Sequence, residues 1–423
     1  MDQAREASNK QCRNTAHICR PLSNSLTLSL VVILAGLGGV SDALGQISSD
    51  ASVYAPMNNY AFIDAQGPSA TMDDAGTLIR LNEAHTKYPT INGSGYTIAV
   101  LDTGVDFNHP ALSGRYVGGY DYINGDSNPN DDNGHGTHVT GIAASNDATY
   151  TGIAPQAGFA AVKVLDSSGS GSFTQIESGL QWVIANRATH NIVAVNMSIG
   201  TSDTYNANVM SMISDELSTL KAAGVFIAVA SGNGWFNNQP NEGVAYPAAD
   251  ASAVAVGDVW TKDFGSIGWS SGAIDYTTAA DRIVSHCDRS TTMLDIFGPG
   301  ALITSASHNW EDGPDYVTMG GTSMASPTVA GLAVLIREAI EEHWDPADWP
   351  TGSDWQDTIL QIMQDNAVII NDGDDEYDNV TNLNHDFPRI DVLASLDATV
   401  VPEPATMSLL VVGVFAILRR KRK

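Results

Sequence analysis

Apolar residues in this chain recur in two alternating rhythms. Thr97–Leu101, Ala160–Leu165, Ile192–Met197, Val225–Ala230 and Ala253–Val256 are short, nearly unbroken apolar runs. Their length fits strands buried on both faces. Between them, Phe173–Arg187 carries Ile176, Leu180, Val183 and Ile184. Asn206–Ala223 carries Val209, Met212, Ile213, Leu217 and Leu220. Both spacings predict helices with one apolar face. Strands alternating with helices predict an α/β fold, a doubly wound, mostly parallel sheet flanked by helices. Sites in such sheets form at the carboxyl ends of strands. Asp102, after the first run, and Asn233, after the fourth, are therefore expected on one edge.

Two more apolar runs lie near the chain ends. Ser23–Val40 follows a basic leader and precedes Ala43-Leu44-Gly45, small residues at a cleavage-like spacing. This pattern predicts a signal peptide over residues 1–45; the run is short for a spanning helix. Residues 46–75 are rich in Ser, Ala, Asp, Asn and Gly without a period, and read as a short pro-segment or linker. Residues 76–398 hold the alternating pattern. In residues 399–423, Pro402-Glu403-Pro404 precedes the apolar stretch Ala405–Leu418 and the basic end Arg419-Arg420-Lys421-Arg422-Lys423. The prolines stop a helix from extending backwards, and the basic end should stay cytoplasmic.

Charge changes the picture of the middle. The formal net charge is −28. Residues 46–418 hold 11 Lys and Arg against 45 Asp and Glu. Such a body repels nucleic acid, whose phosphates need clustered basic side chains. It favours solubility and attracts hard cations such as calcium. Of the three cysteines, Cys12 and Cys19 fall in the expected leader. Cys287 is left alone, most simply a passive thiol.

Four local settings carry candidate chemistry. Val100-Leu101-Asp102-Thr103-Gly104 ends a strand in a turn. Asn133-Gly134-His135-Gly136-Thr137-His138 places His135 between glycines. Gly320-Gly321-Thr322-Ser323-Met324-Ala325-Ser326-Pro327 opens an apolar helix through Val329, Leu332, Val334, Leu335 and Ile336. A Ser there can be a plain cap, or a nucleophile where backbone N–H groups and the helix dipole favour negative charge. Ser231-Gly232-Asn233-Gly234 leaves a strand with an amide able to donate to an oxyanion. Acyl transfer by serine needs a hydroxyl, an imidazole, a carboxylate and oxyanion donors, and these four settings offer one candidate each. His135 with His138 could instead suggest zinc, but no Glu lies between them and no third ligand is near in sequence.

The order Asp, His, Ser, with these flanking motifs and the Asn block between His and Ser, resembles the subtilisin-like serine proteases. The likeness runs over about Gly76 to Ala398. It implies a serine endopeptidase with Asp102 orienting, His135 as base then acid, Ser323 as nucleophile and Asn233 in the oxyanion hole. It also implies that Gly169-Ser170-Gly171 and Ser198-Ile199-Gly200 sandwich an extended peptide substrate, with Ala245 at the floor of the primary specificity pocket. In this reading no acid closes that pocket, so uncharged P1 side chains are expected. No cofactor is required for catalysis. The family's strong calcium site uses an acid where this chain has Ala111, so that site is expected to be absent. Asp121, Asp126 and Asn130 are candidate structural calcium ligands; the other reading of their segment is an Asx-rich turn. The C-terminal tail resembles a PEP-CTERM sorting signal. That likeness implies an exosortase-type partner, a membrane helix before processing, and an exported, extracellular or cell-surface protein of a Gram-negative-type bacterium. The remaining expectations are protein or peptide substrates, a monomer and, as the alternative function, a catalytically silent surface binding module on the same fold.

Overall fold

The computed structural model describes residues 72–400 apart from Asp374, together with the short segments 45–46 and 52–54. Of the expected signal peptide only Gly45, and of the sorting tail only Thr399 and Val400, are among the described residues.

A nine-stranded sheet organises the molecule. Its strands are β1 (Thr97–Asp102), β2 (Tyr116–Asp121), β3 (Gly158–Lys163), β4 (Ile192–Met197), β5 (Phe226–Ala230), β6 (Val254–Val259), β7 (Ile296–Pro299), β8 (Val368–Asn371) and β9 (Asp386–Arg389). They lie in the order β8-β9-β7-β6-β5-β4-β1-β3-β2. Every neighbouring pair is parallel except β8 with β9. From β1 the chain goes first to the edge strand β2, returns to β3 beside β1, and then crosses to the other side at β4. That change of direction makes a crevice at the carboxyl ends of β1 and β4.

Helices clothe the sheet on both faces, among them α1 (His135–Ala144), α2 (Phe173–Asn186), α3 (Ser214–Ala222) and α4 (Thr322–His343). Side chains alternate across β1. Ala99 and Leu101 join the core with Phe173, Ile176, Leu180, Val183, Leu217 and Leu220 of α2 and α3. Ile98 and Val100 join the core with Val139 and Ile142 of α1 and Val329, Leu332 and Ile336 of α4. Burial on both faces explains the unbroken apolar runs. α4 is long and apolar enough to cross a membrane, but 94% of its apolar window is buried, as in the central helix of a folded core.

The expected helix over 206–223 is shorter than its apolar spacing suggests. Only Ser214–Ala222 is helical. Upstream, Thr204–Tyr205 pairs antiparallel with Val244–Ala245, and Val209–Met210 pairs parallel with Gly45–Gln46. Ladder hydrogen bonds hold that half extended, and Ser214 Oγ accepts the Ser211 N–H at 3.0 Å where the helix begins. β2, β7, β8 and β9 lack a distinctive apolar run; β2 reads Tyr-Val-Gly-Gly-Tyr-Asp.

Candidate active site

Asp102 is the last residue of β1 and His135 the first of α1. Their side chains meet at 2.7 Å, His135 Nδ1 to Asp102 Oδ1. Both are buried, with relative exposures of 1% and 0%. Asp102 Oδ1 also accepts the Thr103 N–H at 2.7 Å. His135 Nε2 is left without a hydrogen-bond partner among the described residues, so the ring is held on one side and open on the other. The approach of the two elements needs Gly136: a Cβ there would fall 1.9 Å from the Gly104 carbonyl oxygen.

Ser323 lies in the first turn of α4, where N–H groups have no intrahelical partner. Its hydroxyl donates to the Ser198 carbonyl at 3.4 Å, at the end of β4. Pro327, four residues on, has no N–H to return to the Ser323 carbonyl. The Ser198 hydroxyl donates to that carbonyl instead, at 2.7 Å. Asn196 holds this corner, donating to Ser198 Oγ at 3.0 Å and accepting from Ser326 Oγ at 2.8 Å. Asn233 Oδ1 accepts both the N–H and the hydroxyl of Thr322, at 3.0 and 3.1 Å. The amide is thereby oriented with its NH₂ end away from Thr322. Gly321, at φ 146, makes room: a Cβ there would lie 2.9 Å from Asn233 Nδ2.

Hydroxyl, imidazole, carboxylate and amide thus gather at the carboxyl edge of β1, β4 and β5, beside a helix N-terminus. The subtilase family profile matches residues 93–387. The chain belongs to the subtilase family. It is a subtilisin-like serine endopeptidase, and a PEP-CTERM protein-sorting motif matches residues 400–423. Thermitase of Thermoactinomyces vulgaris is 33% identical, over 64% of this chain and 89% of that protein. Serine protease AprX of Bacillus subtilis is 32% identical, over 64% of this chain and 63% of its own length. Subtilisin E of the same species is 35% identical, over 59% and 58%. A crystal structure of a cold adapted subtilisin-like serine proteinase aligns at 28% identity over 65% of this chain and 84% of that one, with a TM-score of 0.47.

The other expected residues lie on further segments. Ser170–Ser172 is an edge strand, with Gly169 at φ 76 just before it. Ser198, Ile199 and Gly200 run on from β4. A Cβ on Gly200 would come 3.1 Å from the Ala245 methyl, which places Ala245 against that segment. The Ala245 N–H donates to the Ser231 carbonyl at 2.7 Å. One chain segment already lies on the first edge: Ser52–Tyr54 pairs antiparallel with Ser170–Ser172, Val53 opposite Gly171.

Three placements went unread in the sequence. Asp131, buried, receives Thr103 Oγ1, the N–H groups of Asn133, Gly134 and Thr137, and Thr137 Oγ1, at 2.6 to 3.0 Å. It locks the turn after β1 to the start of α1, so that Asp102 and His135 stay in register. Its signal was an acid just before the histidine motif, the residue type that caps a helix. Lys163, buried at the end of β3, donates to the Thr103 and Leu165 carbonyls and to Asp132. Asp288, distant in sequence from the motifs, lies behind Gly232 and Gly234. Burial raises its carboxyl to about 7, against the pull of the Gly234 N–H, Asn238 and Arg289.

His138 is not beside the cleft chemistry. Its Nε2 donates to the Ile303 and Val317 carbonyls, both at 3.1 Å, and burial lowers its pKa to about 3. It pins α1 to the Ile303–Ala306 and Tyr316–Met319 hairpin, and the zinc alternative has no support. Each candidate calcium ligand has a hydrogen-bond partner near in sequence. Asp121 Oδ1 takes the N–H groups of Ile123 and Asn124, and Oδ2 takes the Asn124 amide. Asp126 Oδ1 takes the Asn128 N–H. Asn130 reaches only the Asp131 carbonyl, at 3.5 Å. Among the described residues no three His, Cys, Asp or Glu form a metal-holding group. Their hydrogen bonds make an Asx-rich turn, and its carboxylate and amide oxygens are of the donor type that calcium takes.

Proposed function

We propose that Asp102, His135 and Ser323 form the catalytic triad of this endopeptidase, with Asn233 in the oxyanion hole. The buried 2.7 Å contact between His135 and Asp102, with Nε2 left open, carries this reading. Substrate enters as an extended chain between Gly169-Ser170-Gly171 and Ser198-Ile199-Gly200, held by main-chain pairing that demands little of its sequence. Ser323 Oγ turns from the Ser198 carbonyl to His135 and attacks the scissile carbonyl carbon, and its proton passes to Nε2. Asp102 holds the Nδ1–H and stabilises the imidazolium. The oxyanion takes hydrogen bonds from the Asn233 amide and the Ser323 N–H. The C–N bond then breaks, the departing amine takes the proton from Nε2, and an acyl ester remains on Ser323. Water attacks that ester with His135 again as base. The carboxylic acid product leaves and Ser323 recovers its proton. No cofactor enters these steps.

The acceptance of an extended chain is supported by the Ser52–Tyr54 strand on the Ser170–Ser172 edge. Residues 46–75 act as a short pro-segment or linker, whose Ser52–Tyr54 strand lies on the Ser170–Ser172 edge. The mature enzyme is a monomer over about residues 76–398, broad in sequence preference, with an Ala245-floored pocket for uncharged P1 side chains. The sorting motif directs the chain to export and surface display. An exosortase-type enzyme of a Gram-negative-type cell processes the tail after its helix has held the membrane. A structural calcium on Asp121, Asp126 and Asn130 stays outside these steps; a chelator should lower the thermal midpoint, and an unchanged midpoint would leave the segment a plain turn. The deciding experiment is labelling with a fluorophosphonate, read by mass spectrometry. Label on Ser323, lost in His135→Ala, is expected. A folded protein that takes no label would be a silent binding module instead.

A further inference from the structure

The floor of the primary pocket holds more than the Ala245 methyl. A Cβ built on Gly232 would fall 3.0 Å from Ala245 Cβ and 2.3 Å from Asp288 Oδ2. Methyl and carboxylate therefore stand side by side against the Gly232 wall. Asp288 is fixed there: its N–H donates to the Gly232 carbonyl at 2.9 Å, and its carbonyl accepts the Ser231 hydroxyl at 2.9 Å. Its Oδ2 accepts the Gly234 N–H at 2.9 Å. Its Oδ1 is buried without a hydrogen bond of normal geometry. The other buried acids nearby have partners of their own. Asp258 has His286 at 3.0 Å, Asp372 has Arg289 at 2.5 Å, and Asp275 takes the indole N–H groups of Trp260 and Trp269. Among the described residues no ion pair reaches Asp288. A buried carboxylate with no cation paired to it, beside the Ala245 methyl, is a receptor for a cation, because the arriving charge supplies what burial removed.

We propose that Asp288 is the specificity-determining residue of the primary pocket, receiving the ammonium or guanidinium of a P1 Lys or Arg. This rests on the Ser323 reading of the cleft. With the carboxyl protonated, the pocket takes uncharged side chains; once ionised, it also takes cationic ones. The groups that face Asp288 set this balance. Asp258, beside His286, opposes ionisation, and Arg289 and the Asn238 amide favour it. Cys287, the preceding residue, has its thiol raised well above its usual range by burial and stays neutral.

The test uses the mature enzyme and peptides that differ only at P1: Lys, Arg or Phe. The quantity read is the ratio of kcat/KM for the cationic peptide to that for the Phe peptide, from pH 6 to pH 9. His135 acts on both peptides alike, so its part cancels in the ratio. A group titrating near 7 is about one-tenth ionised at pH 6, so the ratio should rise about tenfold. In Asp288→Asn the ratio should be low and flat. A flat ratio in the wild type, or a rise that persists in Asp288→Asn, overturns the proposal. The wild-type profile decides alone where the variant does not fold. If neither peptide is cut and Ser323 takes no label, the triad reading fails first, a separate outcome.

Discussion

Two histidine–aspartate pairs sit near the carboxyl edge of the same sheet, and only one has the surroundings of a catalyst. His135 meets Asp102 at 2.7 Å and His286 meets Asp258 at 3.0 Å; all four side chains are buried. Each Asp stands at or next to the end of a parallel strand. The difference is what stands on the far side of each ring. His135 Nε2 has no partner among the described residues, while Ser323 stands at a helix start with Asn233 tied to Thr322. His286 lies edge-on against Trp269, ring centroids 4.2 Å apart. Its sequence neighbour Cys287 accepts the Asp258 N–H at 3.4 Å and donates to the Asp288 carbonyl. A neutral buried thiol is a poor nucleophile. The pair is therefore a common structural unit, and chemistry comes from the nucleophile, the donors and the cleft arranged around it.

The largest expected break of this comparison is Ser323→Ala. It should lower turnover on a peptide substrate by about 10⁶ with the fold intact, because nucleophile and base act as one unit. His135→Ala should match it. Cys287→Ala should keep its turnover per folded molecule. Equal losses in Ser323→Ala and Cys287→Ala would move the chemistry to the second pair. Next in size is Asn233→Ala, expected to lower kcat by about 10²–10³ with KM nearly unchanged, since its donor acts on the transition state. A change confined to KM would make Asn233 a ground-state contact.

The sequence made the first pair legible and hid the second. Asp102, His135 and Ser323 each sit in a Gly-containing local motif, because backbone must approach backbone there; Gly136 and Gly321 are cases. The strands β1, β3, β4, β5 and β6 were readable because burial on both faces makes them apolar throughout. β8 and β9 carry half-buried and exposed residues at the sheet margin, so no such run forms. Asp258, His286 and Asp288 are polar residues whose partners come from separate segments. Their burial follows from tertiary packing alone, and nothing in local spacing announces it. Asp131 fell between, since its partners are near in sequence but its acid preceded the motif.

The second pair should show its worth in stability. His286→Ala leaves Asp258 buried without its partner and should cost about 3 kcal/mol of folding free energy. Turnover per folded molecule should stay within a few-fold of the wild type. Denaturant melts with active-site titration separate the two quantities. Unchanged stability with lost turnover would give His286 a part in catalysis.

The smallest effect concerns pH. Asp288 stands between the two pairs, tied to the Gly232–Gly234 segment on one side and raised by Asp258 on the other. Its carboxyl goes from an ordinary 3.8 to about 7 on folding. A group raised on folding holds its proton in the folded state where the unfolded chain has lost it. Its stabilising contribution is therefore full below 3.8 and is lost as pH rises through 7. Between pH 6 and pH 8 the loss should be roughly 1 kcal/mol. Glu338, also raised to about 7, adds a slope of the same sign, so the wild-type curve alone does not isolate Asp288. The comparison with Asp288→Asn does. The amide keeps an acceptor for the Gly234 N–H and cannot ionise, so the variant should lose less stability over this interval while the Glu338 part remains. Parallel wild-type and variant curves from pH 6 to pH 8 would mean that Asp288 is already ionised at the lower pH, with its charge met by neighbours the second pair shares.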